Sequence, residues 1–119
     1  MQVNQIMSRQ VRLASPEDTV QQAARYMAEL GTGALAVGDE HRIIGIVTDR
    51  DIAIRGDAQG CDPTQTAVSE VMTEGVEVCY EDDEVEQVAR KMAQLQVRRL
   101  PVLDRQRKLV GIVSIGDLN

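Results

Sequence analysis

The chain repeats itself, and that constrains its fold more than any other feature. Residues 3–51 can be laid on residues 68–117 with a shift of about 65 positions and a one-residue gap near Lys108. VNQIM meets VSEVM, VQQAARYMAEL meets VEQVARKMAQL, LAVGD meets LPVLD, and IIGIVTDRD meets LVGIVSIGD. The identities fall on apolar and turn positions, among them Met7/Met72, Ala24/Ala89, Met27/Met92, Leu30/Leu95 and Gly45/Gly111. Residues that shape a core repeat in this way. The expected division is a first repeat at 1–60 and a second at 61–119.

Each copy reads as a short strand, a helix, a two-stranded hairpin and a second helix. In the first helix Val20, Ala23, Ala24, Met27 and Leu30 form one apolar stripe at helical spacing, while Gln21, Gln22, Arg25 and Glu29 face water. Asp18 with Gln21, and Asp83 with Glu86, have capping-box spacing, and the acids at 81–84 crowd the positive end of the second copy's helix. That placement makes them helix-starting rather than metal-binding. Short apolar runs flanking turn-forming residues at 38–42 and 104–108 predict the hairpins. Asp57 to Thr66, rich in turn formers and holding Pro63, reads as the connection between copies. Strands alternating with helices predict an α/β fold of two β-α-β-β-α repeats. A half of some 55 residues is only marginally stable alone, so the halves are expected to pack into one pseudo-two-fold module.

Composition narrows the function. The 119 residues are 43% hydrophobic with no Trp or Phe, so the core must be aliphatic and Met-rich. No apolar run approaches the roughly 18 residues of a membrane span, and the N-terminus lacks a secretory h-region. A cytoplasmic location without membrane association is the expectation. A net charge of −6 argues against nucleic acid as a partner, since that binding depends on basic surface. Cys61 and Cys79 lack metal or redox spacing and His41 is the only histidine, so no metal site is expected. There is no Ser/His/Asp or Cys/His set and no phosphate-binding GxxxxGK[ST] loop, and no catalytic residue is assigned.

Thr48 and Ser114 each stand where a strand runs into a helix, a corner that presents free N–H groups and a positive dipole end suited to phosphate. Asp51 and Asp117, three residues on, are placed to accept hydrogen bonds from a ribose diol. The same spacing is that of an ordinary helix cap, and the residues alone leave both readings open. Arg98 and Arg99 precede an apolar strand, either as phosphate ligands or as solvated charges.

GIVTDRDI and GIVSIGDL resemble the strand-to-helix signature of cystathionine β-synthase (CBS) domains, and RRLPVLD resembles their second-strand signature. The likeness covers nearly the whole chain, twice, and TDRDIAIRGDAQGCDP is similar to a stretch of small stand-alone bacterial CBS-pair proteins. The resemblance implies a regulatory, non-catalytic sensor that binds AMP, ADP, ATP, S-adenosylmethionine or NAD in a cleft between the repeats. It also implies a homodimer that signals by conformational change to a partner protein as yet unidentified. A ligand-free structural dimerisation module is the alternative.

In the family's antiparallel arrangement, Ser114 and Asp117 would be joined by Arg98, Arg99 and Arg12, with Met7, Ser8, Val11 and Leu13 as the base wall. Thr48 and Asp51 would be joined by Arg50, with Met72, Thr73, Val76 and Val78 as the wall and Glu77 in the place of Arg12. The chain departs from the family pattern in having Gly33 and Ala34 opposite Arg98 and Arg99, and in ending soon after Asp117, where the final helix is expected to be truncated or absent. The Ser114/Asp117 site is therefore expected to prefer charged nucleotides. The Thr48/Asp51 site is expected to be empty, weaker, or filled by a less anionic ligand.

Overall fold

A computed structural model describes residues 1–39, 41–75 and 77–118; Glu40 of the first hairpin turn, Val76 of the expected base wall and Asn119 lie outside the described residues. The chain forms two compact units, one of Arg12–Val76 and one of Met1–Val11 with Glu77–Asn119. Each repeat's leading segment thus belongs to the unit built on the other repeat's strands.

In the Arg12–Val76 unit, β1 (Leu13–Ala14), α1 (Val20–Leu30), β2 (Ala34–Gly38), β3 (Ile43–Thr48) and α2 (Asp49–Asp51) follow in order, and β4 (Thr73–Glu74) closes a sheet of order β1-β2-β3-β4. The pairing is parallel between β1 and β2 and antiparallel otherwise. Helical backbone continues past α2 as a π-helical turn, Ile52–Gly56, and a 3-10 turn, Asp57–Gln59. The core joins Val20, Ala23 and Met27 of α1 to Leu35, Val37 and Val47 of the sheet and to Val68 and Val71. Of the predicted stripe only Ala24 faces outward.

The other unit repeats the plan with β5 (Cys79–Tyr80), α3 (Val85–Leu95), β6 (Arg99–Leu103) and β7 (Leu109–Ser114), ending in a 3-10 turn, Ile115–Leu118. Its core holds Val3, Met7, Cys79, Val88, Met92, Leu100, Val102 and Val113. The counterpart of β4 is a single bridge in which Ser8 N–H donates to Ile112 O at 2.9 Å and Ile112 N–H to Ser8 O at 3.0 Å.

Both helix caps differ from the sequence expectation by one residue. Thr19 caps α1, accepting from Gln22 N–H at 3.1 Å, while the Asp18 carboxylate is drawn back to Ser15 N–H at 2.9 Å. Asp83 likewise accepts from Tyr80 N–H at 2.9 Å, and Glu84 takes the cap position of α3. An aspartate here fixes the strand-to-helix turn instead of the helix itself. The hairpin turns match the prediction: Asp39 accepts from His41 and Arg42 N–H, which holds its carboxyl below the usual carboxylate range, and Asp104 accepts from Gln106 and Lys108 N–H.

Cys61 and Cys79 are both free. Burial, reinforced by the nearby Asp83 charge, pushes the Cys79 thiol from an ordinary 9.0 up to about 12. The folded chain therefore keeps this thiol neutral where the unfolded chain ionises it. The contribution is complete below pH 9.0 and is lost as pH rises toward 12. Urea melts should show the wild-type chain losing about 1.4 kcal/mol more per pH unit above 9 than Cys79→Val loses. Equal slopes would contradict this.

Candidate functional site

Two corners of similar build, one in each unit, carry the residues singled out from the sequence. At the end of β3, Thr48 N–H donates to Asp51 Oδ2 at 3.0 Å and Asp51 N–H donates to Thr48 Oγ1 at 3.1 Å. At the end of β7, Ser114 donates twice to Asp117 Oδ2, from N–H at 2.8 Å and from Oγ at 3.1 Å. In both corners one carboxylate oxygen locks the turn, and the other takes no hydrogen bond from the described residues. The capping and ligand readings are thus compatible: one oxygen serves the fold, and its twin remains available to a diol.

The corners differ in which backbone amides are already used. Sequence reasoning expected free N–H groups at both. At the first, Asp49 N–H donates to Gly33 O at 2.9 Å, Arg50 N–H to Asp49 Oδ1 at 2.8 Å, and Asp51 N–H to Thr48, so all three amides are used. A Cβ built on Gly33 would lie 2.8 Å from Asp49 Oδ2. The Asp49 carboxylate therefore fills the space beside the strand start and satisfies the Arg50 amide.

At the second corner Ile115 stands in the place of Asp49. Ile115 N–H donates to Arg98 O at 2.9 Å, Gly116 N–H has no partner among the described residues, and Arg99 pairs with Ser114 in the strand register. Arg98 is exposed and Arg99 half-buried. Asp49 is the residue that sequence reasoning missed. The usable signal was the exchange of Gly33 and Asp49 for Arg98 and Ile115 between the repeats.

The remaining candidates divide between the units. Met7, Ser8 and Val11 share a unit with Ser114 and Asp117, and Met7 Sδ lies 2.6 Å from the position of a Cβ on Gly111. Met72 and Thr73 share a unit with Thr48 and Asp51, where Thr73 pairs with Ile46 and Met72 packs on the core. Leu13 sits in β1 opposite Ala36, and the Arg12 guanidinium lies 3.8 Å over the Tyr26 ring; both belong to the Thr48/Asp51 unit. Glu77 and Val78 belong to the Ser114/Asp117 unit, where Lys91 is 3.8 Å from Glu77 and donates to Val78 O at 2.5 Å. Arg12 and Glu77, expected to set the charge of the two sites, are each committed to a partner inside their own unit. Arg50 is exposed. Among the described residues no group of three or more His, Cys, Asp or Glu is arranged to hold a metal ion, and no helix is long and apolar enough to cross a membrane.

The family model for the CBS domain matches residues 3–55 and 68–119. The chain belongs to the CBS-domain family. This CBS pair is 45% identical over 116 residues to the CBS domain-containing protein YhcV of Bacillus subtilis, covering 98% of the chain and 81% of that protein. It is similar in structure to the CBS domain pair of protein MJ0100 solved with 5'-methylthioadenosine and S-adenosyl-L-methionine, with TM-score 0.83, 32% identity and coverage of 99% of the chain and 92% of its counterpart. It also resembles the hexameric CBS-CP12 protein from bloom-forming cyanobacteria, with TM-score 0.88, 35% identity and coverage of 99% and 70%. Tandem CBS repeats of this kind form a regulatory module.

Proposed function

We propose that this CBS pair senses an adenosyl ligand, with its two corners tuned to ligands of different charge, and regulates a partner protein without catalysing a reaction. The observation that carries the reading is the exchange at one register position: Asp49 over Gly33 at the first corner, Ile115 beside Arg98 and Arg99 at the second. A phosphate near Ser114 has the uncommitted Gly116 N–H and the planar forks of the arginines as donors. Near Thr48 it meets a carboxylate.

The Ser114/Asp117 corner accordingly takes AMP, ADP, ATP or NAD, with Asp117 on the ribose. The Thr48/Asp51 corner takes a less anionic ligand such as S-adenosylmethionine. Support for that class comes from the related pair solved with S-adenosyl-L-methionine and 5'-methylthioadenosine. Met7, Ser8 and Val11 are assigned to the base wall at Ser114, and Met72 and Thr73 to that at Thr48. The module acts as a homodimer. Exposed Ile54, Leu95 and Ile115 are consistent with association, as is the oligomeric state of a related protein. Binding shifts the balance between two arrangements of the protein by no more than the ligand's differential affinity for them.

The test is a thermal-shift screen of AMP, ADP, ATP, NAD and S-adenosylmethionine. A ligand at 100 times its Kd should add about 2.7 kcal/mol of stability. Recovery of the ligand unchanged is expected. No shift with any of the five would leave a structural dimerisation module, and turnover lost in Asp117→Ala would make the protein an enzyme.

A further inference from the structure

A cavity of about 270 Å³ opens in the Arg12–Val76 unit, between the start of α1, the π-helical turn and the loop joining the repeats. Val20, Ile52 and Pro63 give it an apolar wall. Thr66, also in the wall, is only 8% exposed. Its backbone is committed, N–H to Asp62 O at 2.9 Å and carbonyl to Val20 N–H at 2.9 Å, but its hydroxyl has no partner among the described residues. No sealed side-chain oxygen or nitrogen among them lacks a hydrogen bond, so the hydroxyl is not enclosed in protein. Thr66 thus lines the cavity with a hydroxyl that is neither sealed nor paired.

A valine would fill the same shape without the unmet polar group. Ile52 and Gly56, the two ends of the π-helical turn, both reach the wall, and such turns occur disproportionately at functional sites. Asp57 brings a carboxylate and half-buried Cys61 a thiol.

We propose that this cavity is a second ligand site, for a small neutral or cationic amphiphile whose hydroxyl or ammonium head meets the Thr66 hydroxyl and whose ring-sized apolar body packs on Val20, Ile52 and Pro63. A cavity of about 150 Å³ admits benzene, so this one holds a single ring with a short polar arm. It falls below the roughly 300–1,000 Å³ of sites for drug-sized ligands and is too small for an adenosyl nucleotide. Asp57 selects against carboxylates and phosphates. The site is therefore distinct in size from both corners and in charge from the one at Ser114.

The test uses the full chain with benzyl alcohol, benzylamine, benzoate and toluene as probes. Binding is read from the methyl resonances of Val20 and Ile52 and from protection of Cys61 against iodoacetamide; Cys79, 1% exposed, stays silent. Benzyl alcohol and benzylamine should bind saturably and slow Cys61 alkylation, with benzoate about 10-fold weaker. Thr66→Val should weaken benzyl alcohol about 10-fold and leave toluene unchanged. Cys61→Phe, which narrows the cavity, should weaken binding of every probe, read from the methyl resonances. Absence of saturable shifts at Val20 and Ile52, equal benzyl alcohol affinity in Thr66→Val, or probe affinities unchanged in Cys61→Phe would each overturn the proposal.

Discussion

Leu100→Ala is expected to destabilise the chain by about 2–5 kcal/mol. Leu100 is 2% exposed in β6, packed in the core cluster with Val88, Met92, Val102 and Val113. Truncation removes the transfer free energy of the side chain and leaves a void that rigid strands on either side close only in part. With a total stability of about 5–15 kcal/mol expected for a domain, the loss is a large fraction of the whole. Leu95→Ala, on a residue already 38% exposed, should cost less than about 1 kcal/mol. Urea denaturation separates the two, with a lower midpoint and an unchanged slope for Leu100→Ala. Similar losses from both would show that the aliphatic core is not where stability resides.

Gly111→Ala should cost about 1–3 kcal/mol, although Gly→Ala at a compatible site ordinarily stabilises. The added Cβ would lie 2.6 Å from Met7 Sδ and 2.7 Å from Ser8 O. The thioether can swing away. The Ser8 carbonyl cannot, because Ile112 N–H holds it at 3.0 Å. Gly45, the matching position of the other repeat, faces Thr73 O at 2.5 Å, so Gly45→Ala should behave alike. Among the described residues, Gly116→Ala meets nothing closer than Ser114 Oγ at 3.6 Å and should change stability by less than about 0.5 kcal/mol. Thermal melts of the three variants test this ordering, and a stabilising Gly111→Ala would contradict the close approach of the leading segment.

These glycines also mark how far the sequence could be read. The repeat, both long helices, the hairpins and their aspartate turns follow from periodicity and turn chemistry, because each is decided by neighbours within about ten residues. Gly45 and Gly111 stood out as repeated identities, but what approaches them did not. Met7 and Met72 are interchangeable in chemistry, so the residues themselves do not say which copy's strand each one covers; only the family resemblance pointed to an exchange.

Thr48, Asp51, Ser114 and Asp117 were legible as corners from their spacing. Asp49 was not, because its effect depends on the backbone of Gly33 passing beneath its carboxylate. The cavity beside Thr66 depends on a π-helical turn, and nothing in IAIRG announces one.

On the proposed reading the repeats share a fold and differ in the charge they accept. An AMP titration followed by amide NMR, at low and high salt, tests it most directly. One dominant site should perturb Ser114, Gly116 and Asp117 and weaken as salt rises, with Thr48 and Asp51 responding at least about 10-fold more weakly. Two sites of equal affinity and equal salt sensitivity would contradict it.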